Sequence, residues 1–207
     1  MRAIFLDRDG VINKYPGDTK YVTCWKEFRF LPKAKEAIAK LHKNGFRIFI
    51  TSNQAGVGKG IFSQKALDII TKNMLKEIEK SDGKIDGVYY CTHRKDENCP
   101  CRKPKAGLLE LAKKNYRLDL KQAIFIGDTI RDVRTAKTAG CKSFLVFSGK
   151  EKLANHKSWE IQPDKVFRNL WEAAEFILVQ ESIKHFPIPL QKSPKVIAEG
   201  DFLVKNK

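Results

Sequence analysis

The chain has 207 residues, 42% of them apolar, and a formal net charge of +16 from 40 Lys and Arg against 24 Asp and Glu. This length and apolar content are enough for one domain with a buried core. The sequence contains no long apolar run and no signal-peptide pattern at its start, which argues against a membrane protein and predicts a soluble, cytoplasmic one.

The positive charge favours acidic partners, such as nucleic acid, anionic lipid or phosphorylated small molecules. The lysines are spread along the whole sequence, mostly on what we predict to be polar helix faces. A solvated basic surface is therefore favoured over a nucleic-acid footprint, which would need clustered cations.

Strand-like and helical spacing of apolar residues alternate along the chain. The first strand begins at Ile4, and Pro32 and Gly45 bound the first helical segment. The other predicted elements are strand 46–51, a helix capped by Ser63, strand 86–91, helix 106–115, strand 123–126, helix 132–139, strand 143–147, edge strand 166–167 and helix 170–179. This alternation predicts an α/β fold of the Rossmann-like, three-layer α/β/α type with a mostly parallel sheet.

The composition changes after residue 180. Residues 181–207 contain three prolines, several lysines and isolated apolar side chains. We predict a single domain at 1–180 and a basic, proline-containing tail at 181–207 that is partly disordered. The alternative is that the apolar residues of the tail lie across the domain or bind a partner.

Two aspartates, Asp7 and Asp9, follow the first strand with one residue between them. Open α/β sheets bind ligands at the carboxyl ends of their strands, where carboxylates can also hold a hard cation. Aspartate can act as a covalent nucleophile as well. An ordinary acidic turn could have the same sequence. Whether the two aspartates form a functional site therefore depends on partner groups elsewhere in the chain.

Three further segments supply such groups at a strand end or just before a helix. Two of them follow predicted strands and offer hydroxyl, amide or carboxylate groups, and the third places two cations before the helix at 106. The residues are Ser52, Asn53, Gln54, Arg102, Lys103, Asp128 and Asp132. Hydroxyl and amide groups can donate to phosphate oxygens, and a lysine acts on phosphate as a point charge. Together with the two aspartates they predict a phosphoryl-transfer site.

A cluster of soft or borderline metal ligands lies between the third strand and the next helix. Its members are Cys91, His93, Cys99 and Cys101. Four such ligands are enough for a closed, tetrahedral structural zinc site. The polar residues 94–98 should be exposed, which argues against the alternative of inert buried thiols. We predict a small zinc-binding loop at 91–101, with Cys24 and Cys141 as buried thiols outside it.

The order of these motifs resembles the haloacid dehalogenase-like phosphatase superfamily. The resemblance rests on Asp-x-Asp-Gly at 7–10, a serine at the second strand end, a lysine before a helix, and Gly-Asp-x-x-x-Asp at 127–132. Segments 6–10, 52–54 and 99–104 resemble a narrower group, the D-glycero-D-manno-heptose 1,7-bisphosphate phosphatases and the related histidinol-phosphate phosphatases. The similarity runs from about Ala3 to about Val179.

The resemblance implies roles for the carboxylates. Asp7 would be the nucleophile, and Asp9 would protonate the leaving alcohol and later deprotonate the attacking water. Mg²⁺ would be held by Asp7, by the backbone carbonyl of Asp9 and by Asp128, with Asp132 nearby as an outer partner. Two close carboxylates with opposite protonation needs require environments that separate their pKa values.

The remaining roles concern the substrate. By the same resemblance, Ser52 and Lys103 would hold the transferring phosphoryl group, while Asn53, Gln54 and Arg102 would contact the substrate. The resemblance also supports the zinc-binding loop. The sequence departs from the familiar Lys-Pro-x-Pro-Gly motif at 103–107, where alanine replaces the second proline.

These features predict a monomeric, Mg²⁺-dependent phosphomonoester hydrolase that acts through an aspartyl-phosphate. The expected substrate is a sugar bisphosphate, namely D-glycero-D-manno-heptose 1,7-bisphosphate at its C7 phosphate. Two alternative substrates are histidinol phosphate and a polynucleotide 3′-phosphate, the second of which would use the basic surface. A third class, a zinc-ordered binding module without activity, is disfavoured because the full set of catalytic residue types is present.

Overall fold

Six short apolar segments pair side by side into one parallel sheet, in a computed structural model that describes residues 2–185. The strands are β1 (Ala3–Leu6), β2 (Arg47–Asn53), β3 (Gly87–Cys91), β4 (Ile124–Gly127), β5 (Lys142–Val146) and β6 (Lys165–Phe167). Their order across the sheet is β3-β2-β1-β4-β5-β6, and every neighbouring pair is parallel. The chain therefore adds β2 and β3 on one side of β1, and then β4, β5 and β6 on its other side.

Helices cover both faces of the sheet. They are α1 (Ala34–Lys43), α2 (Ala55–Gly58), α3 (Gln64–Glu79), α4 (Gly107–Tyr116), α5 (Ile130–Ala139) and α6 (Leu170–His185). Alternate residues of β1 point to opposite faces: Leu6 joins the core formed with α1, α3 and α6, whereas Phe5 joins the core formed with α4 and α5. The predicted three-layer α/β fold is confirmed.

Local capping explains where α3 and α5 begin. Ser63 Oγ accepts a hydrogen bond from Ala66 N at 3.1 Å, so the predicted cap of α3 is confirmed. Helix α5 begins at Ile130 rather than at Asp132, because Thr129 caps it and Asp132 completes a reciprocal capping box. That carboxylate is thereby fixed in the first turn of the helix.

The last helix differs from its predicted length. Helix α6 continues to His185 instead of ending near Val179, so the first residues of the predicted tail are helical. The rest of that tail, residues 186–207, lies outside the described residues. None of the helices within residues 2–185 is long and apolar enough to cross a membrane.

Candidate functional site

The polar residues that end or follow β1, β2 and β4 lie together where the strand order reverses, next to β1. Strand β1 lies between β2 and β4, so the residues after these strands share one edge, and a crevice at such a point is where open α/β sheets bind ligands. A cavity of about 190 Å³ occupies it. Its lining includes eight predicted site residues: Asp7, Asp9, Ser52, Asn53, Arg102, Lys103, Asp128 and Asp132.

Three carboxylates form a buried cluster at the base of this cavity. Asp7, Asp128 and Asp132 each offer an oxygen within 4.8 Å of the others, and the last two are only 1% exposed. Burial raises the pKa of Asp7, and the charge of Lys103 opposes part of that rise. Burial, with repulsion from Asp132 and Asp7, raises the pKa of Asp128 well above its ordinary value. Ionising the whole cluster therefore needs added positive charge.

Lys103 supplies one such charge. Its Nζ lies 2.8 Å from Asp7 Oδ2 and 2.7 Å from Asp132 Oδ1, and it donates to the carbonyl of Thr51 at 3.1 Å. Burial lowers the pKa of Lys103, but attraction to Asp132 and Asp7 outweighs that effect and raises it. One ammonium group facing three carboxylates leaves two negative charges. This all-oxygen set fits a hard divalent cation such as Mg²⁺.

Two glycines leave room for the carboxylate of Asp128. A Cβ at Gly10 would lie 2.2 Å from Asp128 Oδ2, and one at Gly149 would lie 2.0 Å from the same oxygen. The backbone N–H of Lys150 donates to Asp128 Oδ2 at 2.8 Å. Loops after β1 and β5 thus fix this side chain.

Asp9 lies in a different environment from the cluster. Its carboxylate accepts hydrogen bonds from Arg8 Nη2 at 3.0 Å, Asn13 Nδ2 at 2.8 Å and Gln54 Nε2 at 2.9 Å. The side chain of Asp9 is 19% exposed, whereas that of Arg8 is fully buried. The carboxylates of Asp7 and Asp9 are therefore held by separate partners.

Gln54 differs from its predicted placement. The sequence predicts that Gln54 contacts the substrate, but its side chain is 1% exposed and does not line the cavity. Its Nε2 donates instead to Asp9 and, at 3.2 Å, to Ser52 Oγ. β2 ends at Asn53, and Gln54 is the N-cap residue of α2, so its side chain does not continue the alternation of the strand.

Asn53 and Arg102 line the cavity and also order the loop around Lys103. Asn53 Oδ1 accepts from Lys103 N at 3.1 Å, and Asn53 Nδ2 donates to Lys103 O at 3.2 Å. Arg102 Nη1 donates to the carbonyl of His93 at 3.2 Å, linking the site to the cysteine cluster.

A flap after β1 forms one wall of the cavity. All of residues 15–21 line it. Tyr15 donates to Asp18 Oδ1 at 2.6 Å, and Lys150 Nζ pairs with the same oxygen at 2.6 Å. The flap is thereby joined to the loop whose backbone contacts Asp128.

The four predicted zinc ligands lie together. Cys99 Sγ is 3.5 Å from Cys91 Sγ and 3.3 Å from Cys101 Sγ, and His93 Nδ1 is 3.2 Å from Cys101 Sγ. Burial raises the pKa of Cys99, but hydrogen bonds with Cys101 and Cys91 outweigh it and lower the pKa to about 7. Residues 94–98 are exposed, as predicted. This arrangement is consistent with a tetrahedral zinc site.

The two remaining cysteines behave differently. Cys141 is buried, as predicted, whereas Cys24 is exposed and its prediction is wrong. Cys24 comes just before a short 3-10 helix whose neighbouring aromatic residues, Trp25 and Phe28, pack against the core in its place.

Two residues that donate hydrogen bonds to Asp9, namely Arg8 and Asn13, were not predicted from the sequence. An arginine between two aspartates, just beyond an apolar strand, was the available signal. Such a side chain is buried only when it is paired.

Comparisons with known proteins show similarity to phosphatases. Residues 100–173 match the HAD-hydrolase-like family model. The chain is 37% identical over 175 residues to D-glycero-alpha-D-manno-heptose-1,7-bisphosphate 7-phosphatase of Campylobacter jejuni, covering 84% of this chain and 95% of that protein. It is 34% identical over 150 residues to D-glycero-beta-D-manno-heptose-1,7-bisphosphate 7-phosphatase of Pseudomonas putida, covering 72% of this chain and 85% of that protein.

A solved structure is similar over nearly the same span. It is the D,D-heptose 1,7-bisphosphate phosphatase from B. bronchiseptica, complexed with magnesium and phosphate. The TM-score is 0.79 at 31% identity, and the match covers 87% of this chain and 99% of that one.

Proposed function

The chain belongs to the haloacid dehalogenase-like phosphatase superfamily, among the D-glycero-D-manno-heptose 1,7-bisphosphate 7-phosphatases, and from this premise we propose that it removes the C7 phosphate of that sugar bisphosphate. It is a phosphatase. The observation that carries the proposal is the buried cluster of Asp7, Asp128 and Asp132 with Lys103 between two of its members.

Asp7 is proposed as the nucleophile. A carboxylate oxygen of Asp7 forms a bond to phosphorus while the bond from phosphorus to the C7 oxygen breaks, which leaves an aspartyl-phosphate. Arg8 N donates to Asp7 Oδ1 at 2.7 Å and Lys103 holds Oδ2, so the carboxylate is oriented before substrate arrives.

Asp9 is proposed as the general acid and base. It gives its proton to the leaving C7 oxygen, then takes a proton from the water that attacks phosphorus and releases Asp7. Its partners Arg8, Asn13 and Gln54 hold the carboxylate in one orientation for both transfers.

Asp7, Asp128 and the backbone carbonyl of Asp9 are proposed to hold Mg²⁺, which when bound neutralises charge on the phosphoryl oxygens. Asp132 is proposed as an outer partner of the metal, which is supported by its hydrogen bond from Thr129 and its ion pair with Lys103. The magnesium in the similar B. bronchiseptica structure supports this assignment.

Ser52 and Lys103 are proposed to hold the transferring phosphoryl group by hydrogen bond and charge, respectively. Asn53 and Arg102 are proposed to contact the rest of the substrate, which their place in the cavity wall supports. Gln54 acts as a positioning residue for Asp9 instead.

We also propose that Cys91, His93, Cys99 and Cys101 bind a structural Zn²⁺. The donor set supports this, because three sulfur atoms and one ring nitrogen match a closed tetrahedral site. The metal would order the loop that leads to the substrate-contacting Arg102.

The test is Mg²⁺-dependent phosphate release across five substrates. They are the α and β anomers of heptose 1,7-bisphosphate, heptose 7-phosphate, histidinol phosphate and a 3′-phosphorylated oligonucleotide. The expected result is the highest kcat/KM with one of the two bisphosphates. A higher value with histidinol phosphate or the oligonucleotide would replace the proposed substrate with that alternative.

A further inference from the structure

The guanidinium of Arg8 is fully buried, but only one of its edges is paired. Along that edge, Nη2 donates to the two carboxylate oxygens of Asp9 at 3.1 and 3.0 Å. On the other edge, Nη1 is buried and has no hydrogen-bond partner among residues 2–185. A buried donor without a partner is costly. The position of this second edge therefore depends on the side chain that packs against it.

The aromatic ring of Tyr90 is such a side chain. Arg8 Cζ lies over this ring, 5.8 Å from its centroid. Tyr90 belongs to β3, is paired with Ser52 in the register of the sheet, and packs against the core formed with α1, α3 and α6. A cation over an aromatic face is attracted by the charge distribution of the ring, most strongly where water is excluded.

A hydroxyl group of helix α3 holds Tyr90 in turn. Thr71 Oγ1 lies 3.2 Å from the hydroxyl oxygen of Tyr90 and donates to the carbonyl of Leu67 at 2.8 Å. A hydroxyl has one proton, and the carbonyl of Leu67 can only accept, so the proton between Thr71 and Tyr90 comes from Tyr90. Burial raises the pKa of Tyr90, and the nearby charge of Arg8 opposes part of that rise. The hydroxyl of Tyr90 thus lies within reach of the guanidinium charge.

These contacts connect α3 to the proposed acid and base. They run from Thr71 through Tyr90 and Arg8 to Asp9. Neither Thr71 nor Tyr90 lines the catalytic cavity. Any effect of these two residues on the acid step is therefore expected to pass through Arg8.

We propose that Tyr90 and Thr71 are positioning residues for the acid–base step. Tyr90, held by Thr71, keeps the guanidinium of Arg8 against Asp9, so the carboxylate keeps the orientation from which it protonates the leaving oxygen. The proposal rests on the proposed role of Asp9 and extends it to residues outside the cavity.

The test compares leaving groups that differ in their need for an acid. An alkoxide needs a proton as its bond to phosphorus breaks, whereas 4-nitrophenolate leaves without one. With the full chain and Mg²⁺, kcat/KM is measured for 4-nitrophenyl phosphate and for the alcohol phosphate of the five-substrate panel that wild type hydrolyses best. The readout is the ratio of the alcohol-phosphate value to the 4-nitrophenyl phosphate value. Because kcat/KM excludes the later attack of water, this ratio reports the acid step.

Three variants remove the contacts step by step. We expect the ratio to fall about threefold in Tyr90→Phe and in Thr71→Val, which each remove one hydroxyl, and about tenfold in Tyr90→Leu, which also removes the aromatic face. The double variant Tyr90→Phe with Thr71→Val should fall no further than either single variant, because both remove the same hydrogen bond. The two hydroxyl deletions keep the shape of the core, so they decide the test if Tyr90→Leu does not fold.

Tyr89→Phe is the matched control. It removes the same hydroxyl from the adjacent residue of β3, whose side chain packs on the opposite face of the sheet and accepts from Asn115 Nδ2 at 3.2 Å. This variant should leave the ratio unchanged. Equal losses on both substrates in the Tyr90 variants would indicate a structural role alone and overturn the proposal. An unchanged ratio in Tyr90→Phe, or an equal fall in Tyr89→Phe, would overturn it as well.

The same measurements separate this inference from the proposed function. A wild-type enzyme that prefers histidinol phosphate or the oligonucleotide would replace the proposed substrate and leave this test in place, because each of these substrates releases an alcohol. An Asp9→Asn variant with the wild-type ratio would remove Asp9 as the acid and overturn both its proposed role and the positioning residues.

Discussion

Gln54 joins two groups of the site, because its buried Nε2 lies 2.9 Å from Asp9 Oδ2 and 3.2 Å from Ser52 Oγ. The proposed acid and base is thereby tied to the hydroxyl proposed to hold phosphate. We expect Gln54→Met, which keeps the volume but removes the donor, to lower kcat by about tenfold or more with less than about threefold change in KM.

Steady-state kinetics check this prediction, with Gln64→Met as the control, since Gln64 is an exposed glutamine at the start of α3 whose side chain donates to Asp68. A change confined to KM would instead support the substrate contact that the sequence suggested.

Asp7→Asn should abolish turnover without unfolding the protein. The amide cannot attack phosphorus, so we expect a loss of at least about a thousandfold in kcat. Burial raises the pKa of Asp7, so a neutral side chain is compatible with its surroundings. Thermal unfolding and labelling with a ³²P substrate measure the two effects, and the exposed Asp68→Asn is the control. Retained labelling of the variant would remove Asp7 as the nucleophile.

Magnesium binding should strengthen as pH rises. The folded-state pKa of Asp128 lies well above its ordinary value, mainly through burial. The metal-free folded protein therefore binds this proton more tightly than the unfolded chain, and its stability falls as pH rises from the ordinary carboxyl range towards neutral. Mg²⁺ replaces the proton, so its stabilising shift in Tm should be larger at neutral pH than in acid.

Thermal unfolding with and without Mg²⁺ at several pH values checks this, with Ca²⁺ as the comparison ion. Asp128→Asn should remove most of the Mg²⁺ shift. A shift that does not depend on pH would argue against Asp128 as a metal ligand.

Loss of the proposed zinc should destabilise the protein. Cys99→Ser removes one ligand of the cluster, and we expect a fall in Tm of at least about 5 °C together with loss of bound metal. Elemental analysis of the purified chain should give about one zinc atom per molecule. Cys24→Ser is the matched control, because Cys24 is exposed and lies outside the cluster. Equal Tm values for the two variants would contradict a structural zinc site.

Asp164 gives a prediction about pH and stability away from the site. Burial would raise the pKa of Asp164. Hydrogen bonds from Lys137 and Ser143 outweigh that effect, so the pKa is lowered. Its stabilising effect is present above the unfolded pKa and is lost as pH falls through the folded pKa. Asp164→Asn should cost about 1 kcal/mol at neutral pH and less in acid.

Urea unfolding at two pH values measures this difference. Asp82→Asn, which breaks only an exposed pair with Lys43, should change the free energy of unfolding by less than about 0.5 kcal/mol. A cost for Asp164→Asn that stays constant in acid would contradict the lowered pKa.

Much of the site could be predicted because parallel strands collect their carboxyl ends at one edge. Asp7, Ser52 and Asp128 each follow or end a predicted strand, so their proximity follows from the topology alone. The cysteine cluster was equally accessible, since its ligands are close in sequence.

The direction of individual side chains was harder to predict. Whether Gln54 faces the cavity depends on the residue at which β2 ends, and a shift of one residue reverses the side. The partners of Asp9 depend on how the loop from Arg8 to Asn13 folds back on itself, which no periodicity encodes. The start of α5 was accessible in principle, because Thr129 and Asp132 have the spacing of a capping box.

Gly10 and Gly149 make room for the carboxylate of Asp128. A Cβ at either position would overlap one oxygen of that side chain. The proposed metal ligand at the end of β4 therefore depends on two glycines in separate loops, and a larger residue at either of them would displace it.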